Sequence, residues 1–131
     1  MPLVMAAEKI LIIEDNPDIR DNVSELLELA GYQIVRAVDG QMGIQLAIAE
    51  LPDLILCDVL MPKADGHQVF DRLRKHPSTS DIPFVFVTSS VEKKDVEYAL
   101  KKGASGYIRK PFEEHELFET IKLALRNNRI F

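Results

Sequence analysis

Charged side chains follow three short runs of the sequence that are typical of β-strands, at the points where those runs end. Glu14 and Asp15 follow KILII, Asp58 follows LILC, and Lys110 follows YIR. Carboxylates gathered in one place repel one another and resist ionising together unless a cation lies among them. Oxygen ligands with positions left to water suit Mg²⁺ (or Mn²⁺). The acids therefore predict a divalent metal site, provided that the fold brings them together.

A metal ion beside a lysine also makes a site that attracts phosphate oxygens. One of the carboxylates could then attack phosphorus and form an aspartyl phosphate. Lys110 would neutralise charge on the oxygens of the transferring group. Thr88, at the end of the run IPFVFVT, could donate a hydrogen bond to the same oxygens. The predicted chemistry is phosphoryl transfer to a carboxylate.

The segments that must position these side chains alternate between strand and helix patterns. Strands are expected at KILIIED, YQIVRAV, PDLILCD, IPFVFVTSS and SGYIRK, and a helical pattern follows each of them. Asn16 and Asp39 are expected to begin the first two helices. The alternation predicts an α/β domain with a five-stranded parallel sheet covered on both faces by five helices. Ligands of such sheets bind at the carboxyl ends of the strands, where the charged residues lie.

The composition is that of an ordinary domain. The chain has 131 residues, is 47% hydrophobic and 28% charged, and carries a net charge of −5, which argues against nucleic acid as its main partner. One domain is expected over residues 9–126, with tails at 1–8 and 127–131. The single cysteine, Cys57, permits no intramolecular disulfide and is expected in the core. No signal-like opening or membrane-length apolar run is present, so a cytoplasmic protein without a membrane partner is expected.

Four segments together resemble the signatures of one family. IIEDN, LILCDVLMPKADG, VFVTSS and YIRKPF are similar to the signature segments of the receiver domain of two-component response regulators, the CheY-like superfamily. The resemblance covers about residues 9–126 in the family's order. It implies a doubly wound, flavodoxin-like receiver fold with the strand order 2-1-3-4-5.

The resemblance also implies a role for each residue of the site. Asp58 would be the phosphoryl acceptor, and Thr88 and Lys110 would bind the phosphoryl group. Tyr107 would be the switch aromatic that rotates inward when Thr88 moves, although plain packing is the alternative for it. Mg²⁺ would be held by Asp15, Asp58, the main-chain carbonyl of Leu60 and, mostly through water, Glu14. The Lys110–Pro111 bond would be cis, and Leu60 and Ser90 would occupy the two positions that tune dephosphorylation.

The implied partners are a sensor histidine kinase or a histidine phosphotransfer protein as donor, and an output protein. The output partner would bind the fourth helix, fifth strand and fifth helix, and the chain would be a monomer or a weak dimer through that surface. A receiver fragment of a longer DNA-binding regulator or hybrid kinase, and a scaffold that works without phosphorylation, remain as alternatives.

A turnover enzyme is not expected. Phosphatases of the haloacid dehalogenase type have a second Asp two residues after the nucleophile, where this chain has Leu60. A flavin-binding protein would need a phosphate loop rich in Ser, Thr and Gly after the first strand, where this chain has EDNPD. Glycine-rich nucleotide-binding motifs are absent from the sequence.

Some side chains are expected to have no role in the chemistry. The three histidines, at positions 67, 76 and 115, are expected on the surface. Ile48, Leu51 and Leu100 are expected on the core-facing sides of their helices.

Overall fold

Parallel strands and helices alternate along the part of the chain that the computed structural model describes, residues 7–89 and 92–129. The strands are β1 (Lys9–Ile13), β2 (Gln33–Ala37), β3 (Leu54–Asp58), β4 (Phe84–Thr88) and β5 (Gly106–Arg109). The helices are α1 (Pro17–Leu29), α2 (Gly40–Glu50), α3 (Gly66–Lys75), α4 (Lys93–Lys101) and α5 (Glu114–Arg129). The predicted α/β class is confirmed.

The strands form one parallel sheet in the order β2-β1-β3-β4-β5. Strand β3 lies between β1 and β4, with Cys57 opposite Ile13 and Asp58 opposite Val87. Every residue of β3 and β4 is buried. Helices cover both faces of the central strands, which is why these segments are almost wholly apolar. The doubly wound order that the resemblance implied is confirmed.

Two hydrophobic cores lie on opposite faces of the sheet. One contains Phe70, Phe84 and Phe86 with buried residues of α2, α3 and α4. The other contains Leu27 of α1 and Ile121 of α5. Successive side chains of a strand point to opposite faces, so each central strand contributes to both cores. The packing of both cores holds the carboxyl ends of the strands at one edge.

Side-chain caps begin the first three helices just beyond that edge. The Asn16 side chain accepts hydrogen bonds from the backbone N–H groups of Asp18 and Ile19, at 2.9 and 3.1 Å. Asp39 caps α2, and Asp65 caps α3 in a reciprocal capping box with Gln68. The expected helix starts at Asn16 and Asp39 are confirmed. Each cap is worth about 1 kcal/mol and determines where the preceding loop ends.

Three predicted core residues are exposed instead. Leu51 ends α2 in the left-handed conformation with φ 46° and is 53% exposed. Ile48 is 38% exposed, and Leu100 is 47% exposed because α4 buries Ala99 alone among its residues. Helical spacing therefore placed these three side chains wrongly, although Ala47 and Ala99, which it also placed inward, are buried.

The domain bounds expected at residues 9 and 126 stay a prediction. Helix α5 continues to Arg129, beyond the predicted domain end at 126. Residues 1–6, 90–91 and 130–131 lie outside the described part of the chain. Ser90 and most of the two predicted tails are therefore not described. Within the described ranges, no helix is long and apolar enough to cross a membrane.

Gly66 lets the start of α3 approach the end of β3. A Cβ atom at this position would overlap the carbonyl oxygen of Asp58 and would lie 2.9 Å from the Cα of Val59. The Gly66 N–H donates a hydrogen bond to the Val59 carbonyl at 2.9 Å. These neighbours are backbone atoms, so they cannot move aside by a change of rotamer. Glycine is therefore required where the helix meets the strand that carries Asp58.

Gly66→Ala is expected to lower the free energy of unfolding by about 1–3 kcal/mol, because the added methyl group must displace backbone. Denaturant-induced unfolding measures the change. Gly106→Ala is the matched control, since its Cβ would meet mainly the Thr120 methyl carbon, at 2.8 Å. A loss for Gly106→Ala as large as that for Gly66→Ala would contradict this explanation.

Candidate functional site

The carboxyl ends of four neighbouring strands bring the predicted polar residues together. Glu14 and Asp15 directly follow β1, and Asp58 is the last residue of β3. Thr88 is the last residue of β4, and Lys110 follows β5. Because the strands are parallel and adjacent, all these ends lie at the same edge of the sheet.

Three carboxylates form a compact acidic cluster at this edge. Glu14, Asp15 and Asp58 each offer one oxygen, and these oxygens all lie within 4.8 Å of one another. Glu14 is only 4% exposed and Asp58 only 7%, whereas Asp15 lies nearer to solvent. Like charges at this separation repel strongly in surroundings that contain little water. The cluster therefore needs positive charge.

Lys110 supplies part of that charge. Its Nζ donates a hydrogen bond to Glu14 Oε1 at 2.6 Å and lies 3.3 Å from Asp58 Oδ2. Burial lowers the pKa of Lys110, but the hydrogen bond to Glu14 and the charges of Asp58 and Glu14 outweigh it, so the pKa is raised above its usual value. The lysine is thus protonated at neutral pH. One ammonium against three carboxylates leaves two negative charges for a further cation to neutralise.

Backbone contacts hold the charged groups in place. The Lys110 N–H donates to the Thr88 carbonyl at 2.8 Å, and the Leu60 N–H donates to Asp58 Oδ1 at 3.3 Å. Arg20 in the first turns of α1 donates from Nη1 to the Glu14 carbonyl at 2.9 Å. The sequence analysis missed Arg20, because nothing in its spacing shows that it reaches back to the loop after β1. The Lys110–Pro111 bond is cis, as expected.

Cys57 lies next to the site but inside the core, as predicted. Its thiol is buried, and burial together with the nearby carboxylates of Asp58, Glu14 and Asp65 raises its pKa well above the usual value. The Sγ–H donates to the Asp58 carbonyl at 3.2 Å. A protonated, buried thiol is a poor nucleophile and a poor metal ligand, so Cys57 takes no part in the chemistry.

Tyr107 lies inward, on the strand next to Thr88. Its ring centroid is 5.7 Å from that of Phe86, which it pairs with across β4 and β5. The buried Tyr107 Oη has no hydrogen-bond partner among the described residues. Burial, with Asp95 and Asp58 as lesser causes, raises the pKa of Tyr107. A buried hydroxyl without a partner costs about 1–3 kcal/mol, whereas an aromatic pair contributes about 0.5–1.5 kcal/mol.

His67 corrects one expectation of the sequence analysis. It was expected on the surface, but it is half-buried, and its ring lies 4.8 Å from that of Phe86. His76 is also half-buried, and its Nδ1 hydrogen-bonds to Ser78 at 2.8 Å, whereas His115 is exposed as predicted. The strand register decides which helix residue meets Phe86, and no local pattern contains that information.

The acidic cluster fits a divalent cation by the chemistry of its donors. Carboxylate oxygens are hard ligands, and an excess of negative charge favours a small divalent ion such as Mg²⁺. Asp15 and Asp58 offer oxygens toward the same point as Glu14. The Leu60 carbonyl as a further ligand stays a prediction.

Comparison with known proteins identifies the family. Residues 10–122 match the model of the response regulator receiver domain. The chain belongs to the response regulator receiver family. Receiver domains are signalling proteins of two-component systems, and they generally bind Mg²⁺ through acidic residues such as those clustered here.

Relatives of two lengths share this domain. The chain is 42% identical over 118 residues to the transcriptional regulator RpaA of Synechocystis, covering 90% of this chain but 49% of RpaA. It is 36% identical to PilH of Pseudomonas aeruginosa, covering 89% of this chain and 97% of PilH. Among solved structures, CheY4 of Vibrio cholerae matches with a TM-score of 0.84 and 29% identity, over 89% of this chain and 98% of CheY4. The chain thus spans about half of one relative and nearly all of the other.

Lys110→Met is expected to lower the free energy of unfolding at pH 7 by about 2 kcal/mol, since it leaves buried carboxylates without their ammonium partner. The expected loss is smaller than for a fully buried pair because the Lys110 side chain keeps some contact with solvent. A lysine whose pKa is raised on folding stabilises the protein fully below the usual pKa of 10.5, and this contribution is lost as the pH rises through the folded value.

The difference between wild type and Lys110→Met should therefore stay constant from pH 7 to about 10 and shrink only above that. Denaturant unfolding across this range measures it. Lys94→Met is the control, because Lys94 pairs with Glu92 on the surface, where its side chain is 81% exposed. Equal losses for both lysine variants would contradict the role given to Lys110.

Proposed function

We propose that this receiver domain accepts a phosphoryl group on Asp58 in a Mg²⁺-dependent reaction and thereby switches the surface formed by α4, β5 and α5. The observation that carries the proposal is the position of Asp58. Its carboxylate lies 3.3 Å from the Lys110 ammonium and within 4.8 Å of the Glu14 and Asp15 ligand oxygens. A carboxylate, its counter-charge and a set of candidate metal ligands thus lie together at one edge of the sheet.

In the proposed step, a carboxylate oxygen of Asp58 donates an electron pair to phosphorus. The phosphorus–nitrogen bond of the donor's phosphohistidine breaks, and its electron pair returns to the imidazole ring. Lys110 holds Asp58 in position and attracts the phosphoryl oxygens, to which the Thr88 hydroxyl would also donate. A divalent cation held by Glu14, Asp15, Asp58 and the Leu60 carbonyl would supply positive charge beside the transferring oxygens.

The surroundings of Asp58 support an acceptor rather than a phosphatase. Two residues after Asp58, where a general acid and base would lie, the chain has Leu60, whose side chain is 60% exposed and cannot transfer protons. The resulting acyl phosphate would therefore have no group at position 60 that could transfer protons during its hydrolysis. Leu60 and Ser90 are the proposed determinants of its lifetime.

A groove beside the site supports docking of a phosphohistidine-bearing protein. It has a volume of about 680 Å³ and lies between α1 and the loop after β5. Its apolar lining comes from Ile19, Val23, Leu26 and Phe112, and Lys110 forms part of the same wall. A helix of a sensor histidine kinase or a histidine phosphotransfer protein could pack there and present its histidine to Asp58.

Exposed apolar side chains lie on two elements of the proposed output surface, α4 and α5. Tyr98 and Leu100 on α4 and Leu123 on α5 are each about half exposed. Exposed apolar side chains indicate a binding surface where they form one contiguous patch, and the proposal assigns these three to such a patch. The output partner, or a second copy in a weak dimer, would contact this surface.

RpaA gives specific support to one alternative. RpaA is described as DNA-binding, and this chain covers 49% of its length. A receiver that regulates an attached DNA-binding region would use the same Asp58 chemistry. The phosphorylation-independent scaffold is less well supported, since the acids, the lysine and Thr88 are all in place.

Incubation with acetyl phosphate and Mg²⁺ is expected to add one phosphoryl group to the wild-type chain, and Asp58→Asn should abolish the addition. Intact-mass measurement reads the result directly. Excess EDTA should stop labelling, because the carboxylates would otherwise repel the anionic donor.

Asp53→Asn is a matched control, since Asp53 precedes β3 and its carboxylate accepts from the Lys9 N–H, at the opposite edge of the sheet. Equal labelling of wild type and Asp58→Asn would remove Asp58 as the acceptor. Undiminished labelling in EDTA would show that the acidic cluster has another role.

Thr88→Ala is expected to accept the phosphoryl group, more slowly than wild type, but to lose most of the change at the α4, β5 and α5 surface. A phosphoryl group shifts the equilibrium between two conformations only if it interacts more favourably with one of them. In the proposal, the hydrogen bond from the Thr88 hydroxyl provides that difference. Amide chemical shifts over residues 92–126, with and without beryllofluoride, measure the change.

Ser89→Ala is the neighbouring control, because Ser89 is exposed just beyond β4. Similar shifts in wild type and Thr88→Ala would show that Thr88 does not couple the site to the surface. Wild-type shift changes that are confined to residues around Asp58 would show that the α4, β5 and α5 surface does not transmit the signal.

A further inference from the structure

Three rings from three elements form a row next to the site. His67 of α3 packs on Phe86 of β4 with ring centroids 4.8 Å apart and an interplanar angle of 34°. Phe86 packs in turn on Tyr107 of β5 at 5.7 Å and 41°. The row thus connects the start of α3 with the aromatic residue that the proposed switch would move.

The first ring of the row is anchored to the strand that carries Asp58. His67 directly follows Gly66, whose N–H binds the Val59 carbonyl at 2.9 Å and whose Cα hydrogen faces the Asp58 backbone closely. The capping box of Asp65 and Gln68 holds the same turn. The imidazole is therefore carried by a turn that backbone and side-chain hydrogen bonds hold in place. Phe70 and Phe84 also contact the Phe86 ring, with centroids 5.6 and 4.9 Å away, and His67 completes this set of contacts.

Two opposing effects act on the inward position of Tyr107. Packing of its ring on Phe86 stabilises that position, whereas burial of Oη without a partner among the described residues destabilises it. When opposing effects are of similar size, a small change in either one changes the populations of the two positions substantially. The contact between Phe86 and Tyr107 is the stabilising effect, and His67 packs on the Phe86 ring that makes this contact.

We propose that His67 is a positioning residue for the switch: by packing on Phe86, it sets how much of the time Tyr107 lies inward. This inference rests on the proposed switching role of Tyr107, but it concerns ring packing and can be measured without phosphorylation. It requires a ring at position 67, not the ionisable group of histidine. A residue of similar size without a ring should therefore fail to replace it.

Incorporation of 3-fluorotyrosine tests the proposal by ¹⁹F NMR in the full chain, with no phosphoryl donor present. Tyr107→Phe assigns the Tyr107 resonance by its loss, and Tyr32, which follows α1 outside the proposed output surface, provides the internal reference. His67→Ala and His67→Gln should move the Tyr107 resonance toward its value in the unfolded chain, because the outward ring becomes more populated. His67→Phe should keep it at the wild-type position.

The control is His115→Ala, since this histidine is exposed on α5, and it should leave the Tyr107 resonance unchanged. An unchanged Tyr107 resonance in His67→Gln would overturn the proposal, and so would a shift in His67→Phe as large as in His67→Gln. Equal displacement of the Tyr32 and Tyr107 resonances would also overturn it, because that result indicates general loosening.

Addition of beryllofluoride separates this inference from the proposed function. In wild type, beryllofluoride should move the Tyr107 resonance further from its value in the unfolded chain. In His67→Gln it should move the resonance back toward the wild-type position. If Asp58 is not a phosphoryl acceptor, beryllofluoride will have no effect, yet the difference between His67→Gln and His67→Phe will persist. Loss of that difference with an intact response to beryllofluoride would overturn the role of His67 alone.

Discussion

Repulsion among carboxylates at the edge of the sheet is the constraint on which the rest of this structure depends. A parallel sheet aligns the carboxyl ends of its strands, and in this chain the ends of β1 and β3 carry Glu14, Asp15 and Asp58. Their ligand oxygens lie within 4.8 Å of one another, and two of the three side chains are nearly inaccessible to water. Such an arrangement survives only if cations are close, and Lys110 is one of them.

The same constraint explains why the site is suited to respond to a signal. A cluster that is stabilised by one ammonium against three carboxylates is sensitive to any added charge, whether that of a metal ion or of a phosphoryl group. The Lys110 N–H donates a hydrogen bond to the Thr88 carbonyl, so the backbone at the lysine is held against the end of β4. Beside Thr88 on the same strand, Phe86 packs on Tyr107 and so connects β4 with β5. In the proposed switch, a change of charge at one strand end would change the packing at another.

Prediction from the sequence worked best where the signal was local. The strands are short apolar runs, the caps at Asn16 and Asp39 are single polar residues with a defined place, and the family signatures combine both. It failed for Leu51, because the left-handed end of α2 turns that side chain into solvent, and for Leu100, because contact with β5 decides which side of α4 is buried. It failed for His67 because only the sheet register brings that ring onto Phe86.

The sequence by itself determined the fold class, the family and the identity of the charged residues at the strand ends, because each depends on residue type and on spacing along the chain. The tertiary structure decided which charges meet: Lys110 contacts Glu14 more closely than Asp58, Arg20 reaches back to the Glu14 carbonyl, and Tyr107 lies inward on Phe86. These contacts join residues that are distant in sequence, and strand order and helix packing set their distances. Electrostatic energies depend on those distances and on burial, so they become defined only when the chain is folded.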